Sequence, residues 1–437
     1  MKKISCRYLQ RGLFYAPGEL RHCCKRYFHK GKLMGDVKIL EAKNDEDISL
    51  KNIINAKKEI INQINEGKKT DCYGCPVLER KEWKEIEDES FDHISIEHHA
   101  KCNMRCTYCN ETYFGGQLAK YDVIKSLKNL VKENKLRKDL LVAWGGGEPT
   151  IAKDFKKIFE YVNLSIKPNR QRFFSNAINY SEDIAQLLKS DLASLTTSVD
   201  AGSIEVFKKV RKVNQYEKVL RNLKKYYDCS PKNVVIKYIL TEINSSFSEI
   251  ENFIKDIEKY GLNRGNFLIS TNYWNENITL EQAALIVFFQ KKLSENGATT
   301  VVLDEHVRPK ISKIGIDLFQ NLNKIKFLPT NVRETLEDLK QKQKQPNEII
   351  VWGVGEYADL LLDNSITFSK TKVKFFVDSS TFKQGVIFRN TKVLEPEKII
   401  SSNLPILIAS SFWYHEILDQ IKNLGVKNNR ILSGSFI

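Results

Sequence analysis

Cys102-Asn-Met-Arg-Cys106-Thr-Tyr-Cys109 is the stretch of sequence that decides the fold. Its three thiols stand four and three residues apart, directly after an apolar run at 93–97 that predicts a β-strand. Three thiolates can hold a four-iron cubane with one iron left open, and the same loop contains no fourth cysteine. The stretch therefore predicts an iron-sulfur cluster that binds a further ligand at its open iron, with a zinc knuckle or three buried thiols as the alternative.

The sequence beyond this stretch alternates short apolar runs with amphipathic segments. Six runs predict strands, at 93–97, 140–144, 172–175, 194–199, 234–239 and 266–270. The segments between them have helical periodicity, which completes six βα units wound in one direction. The pattern predicts parallel strands in an open or partial (β/α)6 barrel, a fold in which ligands bind at the carboxyl ends of the strands.

Glycine-rich and polar motifs follow the next three predicted strands. In chain order they are Gly145-Gly-Gly-Glu-Pro149, Ser175-Asn176 and Ser198-Val-Asp200-Ala-Gly202. Each motif alone is compatible with an ordinary turn or with helix capping. Their shared position at strand ends favours a ligand site at the mouth of the barrel.

Together with the three cysteines, these motifs resemble the signature of the radical S-adenosylmethionine (SAM) superfamily. The resemblance implies that Cys102, Cys106 and Cys109 ligate a [4Fe-4S] cluster and that SAM chelates its open iron. One electron from the cluster would then cleave SAM to a 5'-deoxyadenosyl radical, which takes a hydrogen atom from a substrate. Ala177 stands where the family has a glycine, a departure from the pattern.

The same resemblance implies a set of cofactor-binding residues. Glu148 is expected to accept a hydrogen bond from the SAM ammonium. Tyr108 is expected to pack on the adenine or to shield the cluster. The complete set is Tyr108, Gly146, Gly147, Glu148, Ser175, Asn176, Ser198, Asp200 and Arg211.

A second group of cysteines precedes the predicted barrel. Cys6, Cys23, Cys72 and Cys75 could close a cubane with four thiolates, whereas Cys24 is expected to be spare. The order of elements resembles the SPASM or twitch module of the same superfamily, although that module normally follows the barrel. The resemblance implies an auxiliary [4Fe-4S] cluster. A four-thiolate zinc site is the alternative, because Cys-x-x-Cys suits tetrahedral zinc equally well.

The last part of the chain has the pattern of a nucleotide-binding fold. Gly353-Val-Gly355 follows an apolar run and precedes a predicted helix, and Asp378 ends the next predicted strand. In a Rossmann arrangement the glycines admit a phosphate and the acid meets a ribose. The region also resembles the small Rossmann-like unit of bacterial sugar methyltransferases and acyltransferases. About 90 residues cannot hold both halves of a dinucleotide site, so nucleotide or nucleotide-sugar binding and a structural role both remain open.

Composition and charge bound the remaining possibilities. Hydrophobic residues make up 42% of the chain and charged residues 28%, which is typical of globular proteins. The start lacks the apolar stretch of a secretory signal, so we expect a cytoplasmic protein without a membrane partner. The net charge of +15 comes from scattered lysines, which favours an acidic electron donor such as flavodoxin or ferredoxin over nucleic acid.

The sequence thus predicts an α/β enzyme in four parts: an auxiliary iron-sulfur module at 1–89, a radical SAM partial barrel at 90–275, a helical extension and linker at 276–345, and a Rossmann-like domain at 346–437. The predicted substrate is a small molecule such as a nucleotide sugar or glycan precursor. One alternative is a peptide-modifying (RiPP-type) maturase, because SPASM modules often accompany peptide modification. Another is a non-catalytic iron-sulfur or zinc scaffold. No residue stands out as catalytic acid or hydrogen donor.

Overall fold

The structure is a computed structural model, and it describes residues 2–110, 114–304, 306–307, 310–311, 314, 325, 328–342, 346–364, 368, 370–381, 383–410, 414–427 and 430–433. The chain divides into two compact units. The first comprises Met1–Asn244, Ser248–Leu268 and Asn296–Thr300, and the second comprises Ser245–Phe247, Ile269–Glu295 and Val301–Ile437.

The first unit begins with a segment of short strands. They are β1 (Lys2–Ser5), β2 (Gly12–Ala16), β3 (Glu19–Arg21), β4 (Arg26–His29), β5 (Lys32–Gly35), β6 (Lys38–Glu41) and β7 (Glu79–Glu82). Two helices accompany them, α1 (Arg7–Arg11) and α2 (Leu50–Asn65). β1 pairs with β7, and β4 pairs with β5, both in antiparallel register.

Six βα units follow in the predicted order. Their strands are β8 (Phe91–Ile96), β9 (Leu136–Trp144), β10 (Arg170–Phe174), β11 (Ala193–Ser198), β12 (Val234–Leu240) and β13 (Asn266–Thr271). The intervening helices are α3 (Val123–Lys132), α4 (Phe155–Tyr161), α5 (Glu182–Lys189), α6 (Ile204–Arg211), α7 (Tyr216–Cys229) and α8 (Phe247–Lys259). β8 to β12 pair in parallel with their chain neighbours, and β13, which begins in the same unit, lies next to β12. The prediction of an α/β fold with a large parallel sheet is confirmed.

The two faces of this sheet differ. On β10, Phe173 is buried and stacks on Trp144, which also packs against Phe155 of α4. Its neighbours Arg172 and Phe174 point to the opposite face and are exposed. At β10, therefore, one face of the sheet is covered by α4 and the other face carries exposed side chains.

Three strands of the N-terminal segment extend the barrel sheet. β2 pairs in parallel with β8, and β3 and β6 follow in antiparallel register. All five residues of β2 are buried, so this strand needs cover on both faces. β2 pairs with β8, so the segments on either side of the predicted boundary at residue 90 share one sheet and lie in one compact unit.

The second unit contains a separate parallel sheet. Its strands are β15 (Glu348–Trp352), β16 (Lys372–Val377), β17 (Ile387–Phe388), β18 (Thr391–Leu394), β19 (Ile406–Ile408) and β20 (Ile431–Ser433), in the order β17-β18-β16-β15-β19-β20. The pairs are parallel except β17 with β18. Apolar clusters cover both faces of β15, with Val351 in one and Trp352 in the other. Helices at Glu356–Asn364 and Tyr414–Asn423 accompany this sheet.

The predicted helical extension at 276–345 falls only partly on described residues. These include α9 (Leu280–Glu295), β14 (Thr300–Leu303) and the helix Thr330–Lys342. Residues 343–345 of the predicted linker lie outside the described part of the chain. None of the described helices is long and apolar enough to cross a membrane.

Candidate cluster and cofactor site

Cys102, Cys106 and Cys109 lie in the loop after β8, at the carboxyl end of the strand. The Cys102 Sγ accepts a hydrogen bond from the backbone N–H of Met104 at 3.4 Å, and the Cys109 N–H donates to the Cys106 carbonyl at 3.0 Å. Burial, and the thiols of Cys106 and Cys102 close by, raise the pKa of Cys109 to about 12. The three thiols thus lie in one short loop, close enough for Cys106 and Cys102 to raise the pKa of Cys109.

Asn176, at the end of β10, connects this loop to Glu148. Its side-chain Nδ2 lies 3.8 Å from the Cys102 Sγ and donates to Asn103 Oδ1 at 2.6 Å. Its backbone N–H donates to Glu148 Oε2 at 2.7 Å. The ends of three neighbouring strands therefore meet at one point, as the sequence motifs predict.

Glu148 is almost fully buried and is surrounded by neutral donors. Its Oε1 accepts hydrogen bonds from Ser175 Oγ at 2.9 Å and Thr150 Oγ1 at 2.7 Å. Burial raises the pKa of Glu148, and these hydrogen bonds oppose the shift. With one bond from Asn176, Oε2 keeps acceptor capacity for a further donor.

The two glycines before Glu148 permit a close backbone contact. A Cβ on Gly147 would lie 1.9 Å from the Lys101 carbonyl oxygen, and Gly146 has φ +83. The Gly147 N–H donates to the His99 carbonyl at 3.0 Å, and the Glu148 N–H donates to the Lys101 carbonyl at 2.7 Å. The glycines therefore dock the turn after β9 onto the chain just before Cys102.

Asp200, Arg211 and Tyr108 form one buried network. Asp200 Oδ2 accepts from the Arg211 guanidinium at 2.8 Å and from the Tyr108 hydroxyl at 2.5 Å, and Arg211 also contacts that hydroxyl. Asp200 Oδ1 accepts from the Ile239 N–H at 2.6 Å. Burial raises the pKa of Asp200, and Arg211 opposes the shift. These side chains position one another, in addition to any contact with a cofactor.

The end of α6 also supports the cysteine loop directly. The Arg105 N–H donates to the Arg211 carbonyl at 3.3 Å, and the Thr107 N–H donates to the Val210 carbonyl at 2.9 Å. Arg211 Nε lies 3.2 Å from the Met104 sulfur. Ser198 is the last residue of β11, the strand next to β10, and is in register with Lys237 of β12. The structure thus gathers the predicted residues of the barrel at one end of its sheet.

Cys6, Cys23, Cys72 and Cys75 line a common cavity in the N-terminal segment. Burial raises the pKa of Cys6 to about 11 and that of Cys75 to about 12. Cys24, which the sequence predicts to be spare, is exposed and is not among the residues that line this cavity. Four thiols that line one cavity are, by donor type, suited to an iron-sulfur cluster or to zinc. Within the described part of the chain, no group of three or more His, Cys, Asp or Glu side chains is arranged to hold a single metal ion.

Sequence reasoning missed two side chains at this second cysteine site. His22 is fully buried, its Nε2 lies 3.7 Å from the Cys72 Sγ, and burial lowers its pKa to about 3. Lys57 is also buried, and its ammonium donates to two backbone carbonyls. The sequence does indicate that Lys57 is buried, because it lies four residues from both Ile53 and Ile61 on the apolar stripe of α2.

In the C-terminal sheet, Asp378 lies next to the glycine turn that the sequence predicts as a nucleotide site. Asp378 Oδ2 accepts a hydrogen bond from the Val354 N–H at 3.0 Å, and its Oδ1 accepts from the Ser380 N–H at 2.9 Å. Lys383 donates to the Val354 carbonyl at 2.9 Å. The acid therefore holds the glycine turn itself, because its short side chain reaches the neighbouring strand end.

Comparison with known families matches two parts of the chain. Residues 96–266 match the radical SAM superfamily. They form a radical SAM domain. This is the domain of an enzyme superfamily whose cofactors are SAM and a [4Fe-4S] cluster, in agreement with the predicted motifs. Residues 345–432 match the family described as C2185-like, N-terminal.

Curated relatives match about a third of the chain at low identity. GTP 3',8-cyclase from Haemophilus influenzae is 24% identical over 156 residues, which are 35% of this chain and 46% of that protein. A probable GTP 3',8-cyclase from Methanocaldococcus jannaschii is 27% identical over 161 residues, 36% of this chain and 53% of that protein. The chain spans about half the length of the curated relatives it matches.

Solved structures resemble the chain more distantly. SuiB from Streptococcus suis, bound to its precursor peptide SuiA, is 13% identical with a TM-score of 0.38, and the match covers 75% of this chain and 77% of SuiB. The structure of anSMEcpe with bound AdoMet is 17% identical with a TM-score of 0.38, and the match covers 48% of this chain and 63% of the other.

Proposed function

We propose that the protein is a radical SAM enzyme that modifies a small molecule. The observation that supports this most directly is the double contact of Asn176, whose side chain lies 3.8 Å from Cys102 Sγ while its backbone N–H donates to Glu148 at 2.7 Å. A ligand of the cluster and an acceptor for a cationic ammonium are thus linked through one residue. SAM carries the groups that such a pair would bind. Its amino group is a cation in solution and, on losing a proton, can ligate iron through its lone pair while keeping N–H groups for Glu148.

Each residue of the site has a distinct part in this proposal. Cys102, Cys106 and Cys109 hold the [4Fe-4S] cluster, which when bound supplies the electron that cleaves SAM to a 5'-deoxyadenosyl radical. Glu148 orients the SAM ammonium through the free acceptor capacity of Oε2. Gly146 and Gly147 allow the backbone to approach the cofactor. The remaining proposed contacts are Tyr108, Ser175, Asn176, Ser198, Asp200 and Arg211.

Side chains on the inner face of the proposed barrel favour a polar, anionic substrate. A nucleotide sugar or glycan precursor is the proposed example. Arg172 and Phe174 are exposed there on β10. In register beside them on β11 are Ser194 and Thr196. A cation, an aromatic face and hydroxyls are the groups that bind a phosphorylated sugar or a nucleobase. The names of the matched relatives refer to a nucleotide, GTP.

Two further parts of the molecule belong to the same proposal. Cys6, Cys23, Cys72 and Cys75 hold an auxiliary [4Fe-4S] cluster in a SPASM-like module, and an acidic flavodoxin or ferredoxin supplies electrons. Residues 346–437 form a Rossmann-like domain, since the order β18-β16-β15-β19-β20 is that of a doubly wound sheet.

The central test is anaerobic reconstitution with iron and sulfide counting, coupled to an assay for 5'-deoxyadenosine. We expect about eight irons in the native chain and about four in the variant C102A/C106A/C109A, because one of two cubanes is lost. The variant should also form no 5'-deoxyadenosine. Cys229→Ala is the matched control, since Cys229 ends α7 and belongs to neither set of thiols.

The result separates the proposal from its rivals. Continued SAM cleavage by the triple variant would exclude the proposed cluster site. Absence of 5'-deoxyadenosine from fully loaded, reduced native protein would favour a scaffold. Zinc in place of iron in the triple variant would identify the N-terminal site as a zinc site.

A further inference from the structure

A lysine is buried inside the N-terminal segment without a carboxylate partner. Lys57 lies on α2, and 1% of its surface is exposed. Its ammonium donates to the carbonyl oxygens of Leu9 at 2.8 Å and Gly12 at 2.7 Å, and it lies 5.2 Å from the centre of the Phe91 ring. Among the described residues it forms no ion pair with Asp or Glu. Burial of an ammonium beside neutral groups is costly and lowers the pKa of Lys57 to about 7, so a negative charge nearby is needed to keep the ammonium form at neutral pH.

The thiols of Cys6 and Cys23 and the carboxylate of Asp92 are the groups whose negative charge would act on Lys57. Leu9 accepts from Lys57 through its carbonyl, and its N–H donates to Cys6 Sγ at 3.3 Å. Lys57 is therefore linked to Cys6 through a single residue. Its second acceptor, Gly12, packs on the carbonyl of His22, which a Cβ at Gly12 would approach to 2.4 Å. Because Cys23 follows His22, the segment that the ammonium contacts at Gly12 packs next to the backbone just before a second proposed ligand.

A cubane with four thiolates carries net negative charge in both of its usual oxidation states, and it gains one more negative charge when it is reduced. A fixed cation nearby stabilises the reduced form more than the oxidised form. Net charge and solvent access are among the factors that set the reduction potential of such clusters. Lys57 is shielded from water, which leaves its charge weakly screened.

We propose that the ammonium of Lys57 compensates the charge of the auxiliary cluster and raises its reduction potential, an inference that rests on the proposed cluster at Cys6, Cys23, Cys72 and Cys75. Lys57 is thus a positioning residue for charge, rather than a ligand. The alternative is a purely structural role, in which the lysine caps the carbonyls at the end of α1.

The test uses the full chain with C102A/C106A/C109A, so that only the auxiliary cluster is present. Lys57→Met removes the charge and keeps the length of the side chain. We expect its cluster to have a more negative midpoint potential than that of the parent, measured by redox titration followed by EPR. Lys310→Met is the matched control, because Lys310 is also buried and donates to two oxygens, of Thr271 and Asn272. Its midpoint potential should equal that of the parent.

A second measurement separates the electrostatic role from a structural one. Without iron the ammonium of Lys57 has no compensating charge, so iron-free K57M should be at least as stable to urea as the iron-free parent. If K57M retains no iron, K57R and K57Q are compared: retention by K57R alone supports the proposal, and equal loss in both overturns it.

Three results would overturn the inference. An unchanged potential in K57M shows that the charge does not act on the cluster. A clear loss of stability in iron-free K57M shows a structural cap. Absence of iron from the parent removes the auxiliary cluster and the inference with it, while SAM cleavage by the chain with Cys102, Cys106 and Cys109 intact still tests the radical function separately.

Discussion

Two carboxylates at the mouth of the barrel are almost completely buried, and they are held in different ways. Asp200 faces the Arg211 guanidinium, which neutralises its charge. Glu148 accepts hydrogen bonds from neutral donors of Thr150, Ser175 and Asn176. Neutral donors stabilise a carboxylate without cancelling its charge, so Glu148 remains the carboxylate suited to a cationic ligand.

The network around Asp200 makes a prediction about stability. In Asp200→Asn, Arg211 keeps its buried position but loses its counter-charge. We expect a loss of about 3 kcal/mol in the free energy of unfolding, because an uncompensated buried cation is strongly destabilising. Urea denaturation of the iron-free protein measures it.

The matched control is Asp191→Asn, the same chemical change at an exposed ion pair with Lys232. Exposed pairs contribute little, so this variant should unfold close to the parent. Equal losses in the two variants would show that burial of Arg211 does not matter.

His93 gives a prediction of pH dependence. Its ring stacks on Phe14, with centroids 5.1 Å apart, and burial followed by the charge of Arg172 lowers its pKa to about 4. An unfolded histidine titrates near 6.5. Between these values the unfolded chain binds the extra proton, so stability that is full above about pH 6.5 is lost as the pH falls toward 4, by up to about 1.4 kcal/mol per pH unit from this residue.

His93→Phe keeps the stacking and removes the titration. The difference in free energy of unfolding between parent and variant should therefore change from pH 7 to pH 4.5 in favour of the variant. Other buried histidines, such as His22 and His99, are common to both proteins and cancel in the comparison. A difference that stays constant with pH would contradict the assignment.

At the scale of elements, the site depends on how the turn after β9 docks on the loop after β8. In Gly147→Ala the new Cβ would lie 1.9 Å from the Lys101 carbonyl, so one of the two segments must move. Because Cys102 follows Lys101, we expect G147A to lose iron from the barrel cluster and to lose SAM cleavage. Iron counting on reconstituted protein checks this.

Gly145→Ala is the control within the same turn. Its Cβ would have ordinary contacts of 3.7 Å with Glu97 and Phe174, so the iron content should be unchanged. Iron loss in both variants, or in neither, would show that docking of the two loops does not position the cysteines.

The sequence predicts an element well when the pattern that indicates it lies within the element itself. The parallel strands and the motifs at their ends were predictable, because alternating burial, as on β12, is a local pattern. The pairing of β2 with β8 was not, since the run Leu13 to Ala16 does not specify its neighbour. The network of Tyr108, Asp200 and Arg211 joins three segments that are separate in sequence, so no local pattern in any one segment predicts it.

At the scale of the whole molecule, sequence and structure divide the chain differently. The sequence predicts four parts from changes in composition, whereas the chain forms two compact units. Cysteine content made residues 1–89 look separate, but metal ligands and sheet pairing are independent properties. Because β2 of the N-terminal segment pairs with β8, one compact unit contains both groups of cysteines.

The net charge of +15 leads to a prediction about electron supply. Opposite charges accelerate encounter, and salt screens them with a Debye length of about 10 Å at 0.1 M. The rate of cluster reduction by an acidic flavodoxin should therefore fall about tenfold or more between 0.05 and 0.5 M salt, measured by stopped-flow absorbance. A flavodoxin with some of its surface carboxylates neutralised is the control. Its reduction rate should depend less steeply on salt concentration. Equal slopes for the two donors would mean that the positive surface does not guide the donor, because steering must scale with the charge of both partners.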